Sequence, residues 1–146
     1  YRDNRLVAPD SLSALGTPID LRRVQTPSYI QAGREDHIAP AESVWKLQEH
    51  LSGPVKFLLA GSGHIAGVVN PPAQNKYQYW TNEGTAGSLA EFIDGATETK
   101  GSWWPDWLTW LLDKGDAKVP AKGARIAGEG ALKALESAPG SYVKAR

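Results

Sequence analysis

The feature that most restricts the fold of this chain is the order of elements between residues 24 and 60. An extended run at Val24–Gln31 ends at Ala32-Gly33, a polar loop and a helical pattern over Pro40–Leu51 follow, and Val55–Ala60 is a short, mostly apolar run. Short apolar runs bounded by turn residues are typical of strands buried in a parallel sheet. The pattern predicts a βαβ unit and therefore a fold of the α/β class.

Further elements are predicted on either side of this unit. We expect a short strand near Leu12–Leu15 with a turn over residues 16–18, and a helix over Leu89–Thr97. Another helix is expected from Pro105, with Ser102 as its cap. One face of that helix would carry Trp104, Trp107, Leu108 and Leu111. We expect this face to pack in the interior rather than to form a ligand cage.

The composition excludes several classes of protein. The chain has 16 basic and 16 acidic side chains, so its net charge of zero argues against a nucleic-acid partner. No apolar run approaches the roughly 20 residues of a transmembrane segment. With no Cys, the chain holds no disulfide, no thiolate zinc site and no thiol nucleophile of its own. The three His residues lack the spacings of common metal sites, so no metal is expected.

Two polar residues follow the two predicted strands and are the candidate catalytic pair. Asp36 comes after the first strand and His64 after the second. Catalytic groups of parallel α/β sheets gather at the carboxyl ends of the strands, so both side chains are expected at one edge. A neutral His takes a proton from a nucleophile near pH 7, and a carboxylate on its other nitrogen orients the ring. The order acid before His matches that of the α/β-hydrolases.

Each candidate also has a plainer interpretation. Asp36 lies in a loop after Gly33, where an Asp often serves only to form a turn. His37 is expected to support the site or the loop, and His50 to be a surface residue of the helix. Gly61-Ser62-Gly63 resembles a phosphate-binding loop only weakly, because no Lys-Ser/Thr pair follows it.

The nucleophile of a catalytic triad is missing from this sequence. No Gly-x-Ser-x-Gly elbow occurs, and there is no Cys. If the Asp and His belong to a triad, its nucleophile is expected upstream of Tyr1. The absence of any Met, including a starting one, favours the interpretation of this chain as a fragment.

Four blocks of sequence, in order, resemble the C-terminal part of the class I polyhydroxyalkanoate synthases. They are Gly33–Pro40 (GREDHIAP), Gly61–Pro72 (GSGHIAGVVNPP), Gly101–Trp107 (GSWWPDW) and Ala138–Arg146 (APGSYVKAR). The resemblance implies the C-terminal portion of an α/β-hydrolase fold, with the last parallel strands and their flanking helices in an incomplete domain. Residues 1–112 would belong to the catalytic domain, and residues 113–146 would form an Ala/Gly/Lys-rich tail.

The resemblance also implies an activity and roles for individual residues. These synthases are acyltransferases that polymerise (R)-3-hydroxyacyl-CoA, here 3-hydroxybutyryl-CoA, and release CoA. His64 would deprotonate an upstream Cys, and Asp36 would help to activate the 3-hydroxyl group and orient His64. The CoA thioester is a substrate, and no cofactor is expected. The expected partners are the growing polyester chain, the surface of a cytoplasmic polyester granule and, in the intact enzyme, a second copy.

Two other functions remain open at this point. The Asp and His loops alone are compatible with a different α/β-hydrolase, such as an esterase or a thioesterase. The missing nucleophile and the Trp-rich block are compatible with a non-catalytic piece that binds granules or mediates oligomerisation. In either case we expect the isolated chain to be inactive toward hydroxyacyl-CoA.

Overall fold

The computed structural model describes residues 2–115, 117–120 and 126–145. The chain divides into two compact units, Tyr1–Leu111 and Leu112–Arg146. The first unit begins with a short antiparallel hairpin of β1 (Ser13–Ala14) and β2 (Thr17–Pro18). The turn between them is Leu15-Gly16, where both residues have positive φ. The prediction of a turn over 16–18 was therefore wrong by one position, and Thr17–Pro18 is a strand.

A four-stranded mixed sheet forms the centre of the first unit. Its strands are β3 (Ser28–Gly33), β4 (Val55–Ala60), β5 (Gln78–Thr81) and β6 (Thr97–Lys100), in the order β3-β4-β5-β6. β3 and β4 are parallel, as the sequence predicted, whereas β5 and β6 join in antiparallel pairings. The α/β class is confirmed, but the sheet is not made of parallel strands alone.

The two predicted strands of the βαβ unit differ in how well their bounds were predicted. β4 has the predicted bounds, while β3 begins four residues after Val24. Val24 instead ends a 3-10 turn, with its N–H donating to the carbonyl of Leu21. Pro27 has no N–H to offer a sheet, so regular pairing begins after it.

Two of the three helices are shorter than the sequence predicted, and the third begins one residue before its predicted start at Pro105. They are α1 (Ala41–Trp45), α2 (Leu89–Asp94) and α3 (Trp104–Lys114). The predicted helix over Pro40–Leu51 is α only as far as Trp45 and continues as a 3-10 helix over Lys46–His50. α2 ends at Asp94 with Gly95 as its C-cap, and Thr97 starts β6 rather than ending the helix. Shorter 3-10 helices lie at Arg5–Val7, Leu21–Arg23, Pro72–Gln74 and Ser141–Lys144.

Helices cover both faces of the sheet. α1 and α2 pack on one face, over a core of Ile30, Ala32, Trp45, Phe57, Leu59, Trp80, Leu89 and Phe92. The opposite face carries Leu58 and Ala60 and is covered by Trp103, at the start of α3. The strand that leads to the His64 loop is thus buried on both sides, as is typical of a strand in a parallel pair.

The packing side of α3 matches the predicted one only at Trp104, which packs half-buried against the core of Leu58, Ala60 and Trp103. Trp103 is 9% exposed and stacks on Tyr29 of β3, with ring centroids 6.1 Å apart, and Trp110 meets the same ring edge-on at 5.4 Å. Trp107 and Leu108, which were expected to be packed, are 39% and 54% exposed. Ser102 does act at the helix start, since its Oγ accepts a hydrogen bond from the N–H of Trp104.

In the second unit, the described residues are mostly exposed, and Ser141–Lys144 is a 3-10 helix. The assignment of residues 1–112 to a catalytic domain and of 113–146 to a tail stays a prediction. Among the described residues, no helix is both long and apolar enough to cross a membrane.

Candidate active site

The loops after β3 and β4 form the candidate site because the two strands end side by side. Gly33 and Ala60 are paired at the carboxyl ends of the strands. Backbone pairing continues beyond them, since the N–H of Arg34 donates to Ala60 O at 2.8 Å and the N–H of Glu35 donates to Ser62 O at 3.1 Å. These hydrogen bonds hold the two loops side by side and bring Asp36 and His64 together, as their positions after parallel strands predicted.

Asp36 uses both of its carboxylate oxygens. Oδ1 accepts hydrogen bonds from the N–H groups of Ile38 and Ala39, each at 2.9 Å, and Oδ2 lies 2.8 Å from Nδ1 of His64. The side chain is only 7% exposed. The N–H of Ala39, together with His64 and the N–H of Ile38, holds the pKa of Asp36 below its usual range despite burial. The residue therefore forms a turn through one oxygen and presents a carboxylate to the His through the other.

His64 presents one edge of its ring to Asp36 and the other to solvent. Its side chain is 47% exposed, and the described part of the chain offers no hydrogen-bond partner to Nε2. A carboxylate beside Nδ1 favours the neutral tautomer with its proton on that nitrogen. The lone pair then lies on Nε2, so the ring can accept a proton from a group outside this pair.

Close backbone packing shapes the turn that carries His64. Ser62 has a φ of 75°, in the left-handed region. The N–H of Gly67 donates to the carbonyl of Gly63 at 2.8 Å, and a Cβ on Gly67 would lie 2.7 Å from that same oxygen. A Cβ on Gly63 would meet only the carbonyl oxygen of Glu35, at 3.5 Å. The turn therefore has room for a methyl group at Gly63 and none at Gly67.

We expect Gly67→Ala to destabilise the protein by about 1–3 kcal/mol, because the added methyl group overpacks the turn. Gly63→Ala is the matched control, since its methyl group makes an ordinary contact, and we expect a change within about 0.5 kcal/mol. Urea unfolding of the two variants, in the complete polypeptide, measures the difference. Equal stability of the two would contradict this account of the turn.

The other two His residues lie apart from the pair's hydrogen bonds. His37 is exposed, and within the described residues it makes no hydrogen bond or ion pair. Its supporting role stays a prediction. His50 lies on the 3-10 helix before β4, and His64 follows the other end of that strand, so His50 is at the opposite end of the sheet. Within the described residues, no group of three or more His, Asp or Glu side chains is placed to hold a metal ion.

Residues outside the two loops also contact the site, and the sequence alone did not indicate these contacts. The guanidinium of Arg34 stacks on Trp80 at 4.6 Å, beside the Asp36 turn. The indole N–H groups of Trp103 and Trp104 donate to the carbonyls of Gly67 and Val68, which follow His64. Both the Trp-rich block and the Gly-rich block were visible in the sequence, but the contact between them was not.

Known proteins match this chain over its whole length. It is 43% identical over 146 residues to the poly(3-hydroxyalkanoate) polymerase subunit PhaC of Cupriavidus necator and 47% identical to that of Rhizobium meliloti. Identity to poly(3-hydroxyalkanoate) polymerase 2 of Ectopseudomonas oleovorans is 37% over the full chain. The chain spans about a quarter of the length of these relatives, 24%, 23% and 26% respectively. No protein-family model matches it.

Proposed function

We propose, since this chain belongs to the poly(3-hydroxyalkanoate) polymerase family, that it supplies the Asp–His pair of such a polymerase within a longer polypeptide. The observation that carries the proposal is the 2.8 Å contact between Asp36 Oδ2 and His64 Nδ1, at the carboxyl ends of two parallel strands. The reaction would be the transfer of 3-hydroxyacyl groups from CoA thioesters to a growing polyester.

His64 would act as the proton carrier of this reaction. Its Nε2 takes the proton of a Cys thiol contributed from outside this chain, and the thiolate attacks the thioester carbonyl. As the carbon–sulfur bond to CoA breaks, the CoA sulfur receives that proton. The 3-hydroxyl group of another unit then attacks the acyl-Cys and gives its proton to Nε2, and the thiolate leaves as the ester forms. No cofactor besides the CoA substrate is needed for these steps.

Asp36 is best suited to orient His64 and to stabilise its charged form. Both of its carboxylate oxygens already accept hydrogen bonds, and the side chain is nearly buried. A carboxylate in this position serves the reaction through the ring it holds. We therefore assign to the His the direct proton transfer from the 3-hydroxyl group that the family resemblance implied for Asp36.

We propose an α/β-hydrolase fold for the complete domain, with further strands added beside β3. β3 is the edge strand of the described sheet, yet Ile30, Ala32 and Gly33 are buried in it. The side-chain Nε2 of Gln31, on the same strand, is buried without a hydrogen-bond partner among the described residues. An unpaired parallel edge of this kind is suited to continuation of the sheet.

The exposed apolar side chains near the site suit an uncharged acyl substrate. Ile38, Ile65 and Val69 are 65%, 74% and 61% exposed, and all lie on the loops that carry Asp36 and His64. We propose that they face the acyl chain or the polyester in the complete enzyme. The family resemblance is the basis for proposing a homodimer at the surface of a polyester granule.

Incubation of the complete purified polypeptide with (R)-3-hydroxybutyryl-CoA tests the proposal. We expect release of free CoA thiol, measured colorimetrically, together with polyester that pellets on centrifugation. Thiol release with free 3-hydroxybutyrate and no polyester would indicate a thioesterase instead. The isolated 146-residue chain is expected to release no CoA, since it has no Cys to form the acyl-enzyme.

A further inference from the structure

We infer that Trp103 and Trp104 are positioning residues that hold the His64 turn in place through hydrogen bonds from their indole N–H groups. The inference rests on the proposed function, because it takes His64 as the base. Nε1 of Trp103 donates to the carbonyl of Gly67 at 2.9 Å, and Nε1 of Trp104 donates to the carbonyl of Val68 at 3.0 Å. Two adjacent residues of one helix start thus hold two adjacent peptides of the turn.

The peptide held by Trp103 is connected directly to the residue before His64. The N–H of Gly67 donates to the carbonyl of Gly63 at 2.8 Å, while the carbonyl of Gly67 accepts from Trp103. No side chain intervenes, because Gly67 has none and its surroundings leave no space for one. A movement of the Trp103 indole is therefore transmitted through one residue to the backbone that carries the His.

Trp103 also contacts the strand that leads to Asp36. Its ring stacks on Tyr29 of β3, and the hydroxyl group of Tyr29 donates to Asp106 of α3 at 2.7 Å. Lys56 of β4 forms an ion pair with the same carboxylate at 2.9 Å. The start of α3 is therefore fixed to both parallel strands, and from that position Trp103 sets where the His64 turn lies relative to Asp36.

The far end of the loop is held by a separate contact. Asn70, which is 4% exposed, donates from Nδ2 to the carbonyl of Lys76 at 3.0 Å. Loss of an indole N–H should then leave the course of the loop intact and loosen only the turn near His64. An effect on the orientation of His64, rather than on folding, is the signature that separates positioning from packing.

Trp103→Phe and Trp104→Phe, made in the complete polypeptide, remove the N–H groups and keep aromatic side chains. Trp107→Phe is the matched control for packing, since the Trp107 ring lies against that of Trp103, with centroids 5.8 Å apart, and within the described residues its indole donates no hydrogen bond to the turn. We expect kcat for CoA release to fall about 10- to 100-fold in the first two variants, because small misplacements of catalytic groups have effects of this size. KM should change little, and the control should stay within about twofold of the wild type.

The ¹⁵N NMR signals of the His64 ring give a second measurement that does not depend on turnover. In the wild type we expect the tautomer with its proton on Nδ1, and in the two variants a mixture of both tautomers. If Trp103→Phe does not fold, Trp104→Phe, at a half-buried side chain, decides the question. Wild-type kcat and wild-type ring signals in folded variants would overturn the inference. If the wild-type polypeptide has no polymerase activity, the proposed function fails, and the ring signals still test the positioning.

Discussion

Replacement of His64 by Gln in the complete polypeptide is expected to lower CoA release about 10²- to 10⁴-fold, the usual contribution of a general base. Gln retains a polar group near Asp36, but it has no lone pair basic enough to take the proton of a thiol. The half-exposed ring and the Nε2 that is free among the described residues are the observations on which the proposed role of this atom as proton acceptor rests. The rate of thiol release from (R)-3-hydroxybutyryl-CoA measures the loss.

The matched control for this variant is His50→Gln. His50 lies at the opposite end of β4, so the same chemical change there should leave kcat within about twofold of the wild type. Near-wild-type activity of His64→Gln, with correct folding, would remove His64 from the mechanism. An equal loss in both variants would point to destabilisation instead of lost proton transfer.

Asp36→Asn is expected to lower kcat by up to about 10⁴-fold while leaving the turn in place. The amide oxygen can still accept from the N–H groups of Ile38 and Ala39. The amide nitrogen, however, would donate to Nδ1 of His64, which places the ring proton on Nε2. The base would then be in the wrong tautomer for accepting the thiol proton, although every backbone contact is preserved.

Glu35→Gln is the control for the Asp variant, since the side chain of Glu35 is exposed and only its backbone N–H contributes to the loop pairing. We expect its activity to lie within about twofold of the wild type. Ring ¹⁵N signals of His64 in Asp36→Asn should show the proton on Nε2. An unchanged tautomer together with unchanged kcat would contradict the role assigned to Asp36.

The stability of the folded protein should also depend on pH through Asp36, in a defined direction. The pKa of Asp36 is lowered in the folded state, chiefly by the N–H of Ala39. A lowered pKa means that the carboxylate stabilises the fold above its unfolded value of about 3.9, and that this contribution is lost as the pH falls through the folded value. The stability difference between wild type and Asp36→Asn should therefore be constant near neutrality and shrink at acidic pH, as followed by urea unfolding.

The sequence was sufficient to predict an element or a contact where a local pattern of residues specifies it. The apolar run Val55–Ala60 predicted β4 with its bounds, because a strand buried on both faces must be apolar along its length. Two parallel strands end at one edge of a sheet, so the positions of Asp36 and His64 after β3 and β4 predicted their contact. The turn residues after each strand indicated where the strand ends and the loop with the candidate side chain begins.

The missed strands lack such a pattern. β6 (TETK) is exposed along its whole length, so it is held by backbone pairing to β5 and leaves no apolar alternation in the sequence. β5 combines polar and aromatic residues, of which only Trp80 is buried. Antiparallel pairing at the far side of the sheet is a property of the backbone, and composition does not predict it.

By itself, the sequence determined the α/β class, the β3–β4 pair and the residues that meet at its edge. Only the tertiary structure decided which Trp side chains are buried and what they hold. Helical periodicity placed Trp104 and Trp107 on one face. In the structure, Trp103 packs on the sheet, and the His64 turn accepts hydrogen bonds from the indole N–H groups of Trp103 and Trp104. These hydrogen bonds join residues 36 positions apart, and contacts at that separation depend on how the chain packs rather than on any local preference.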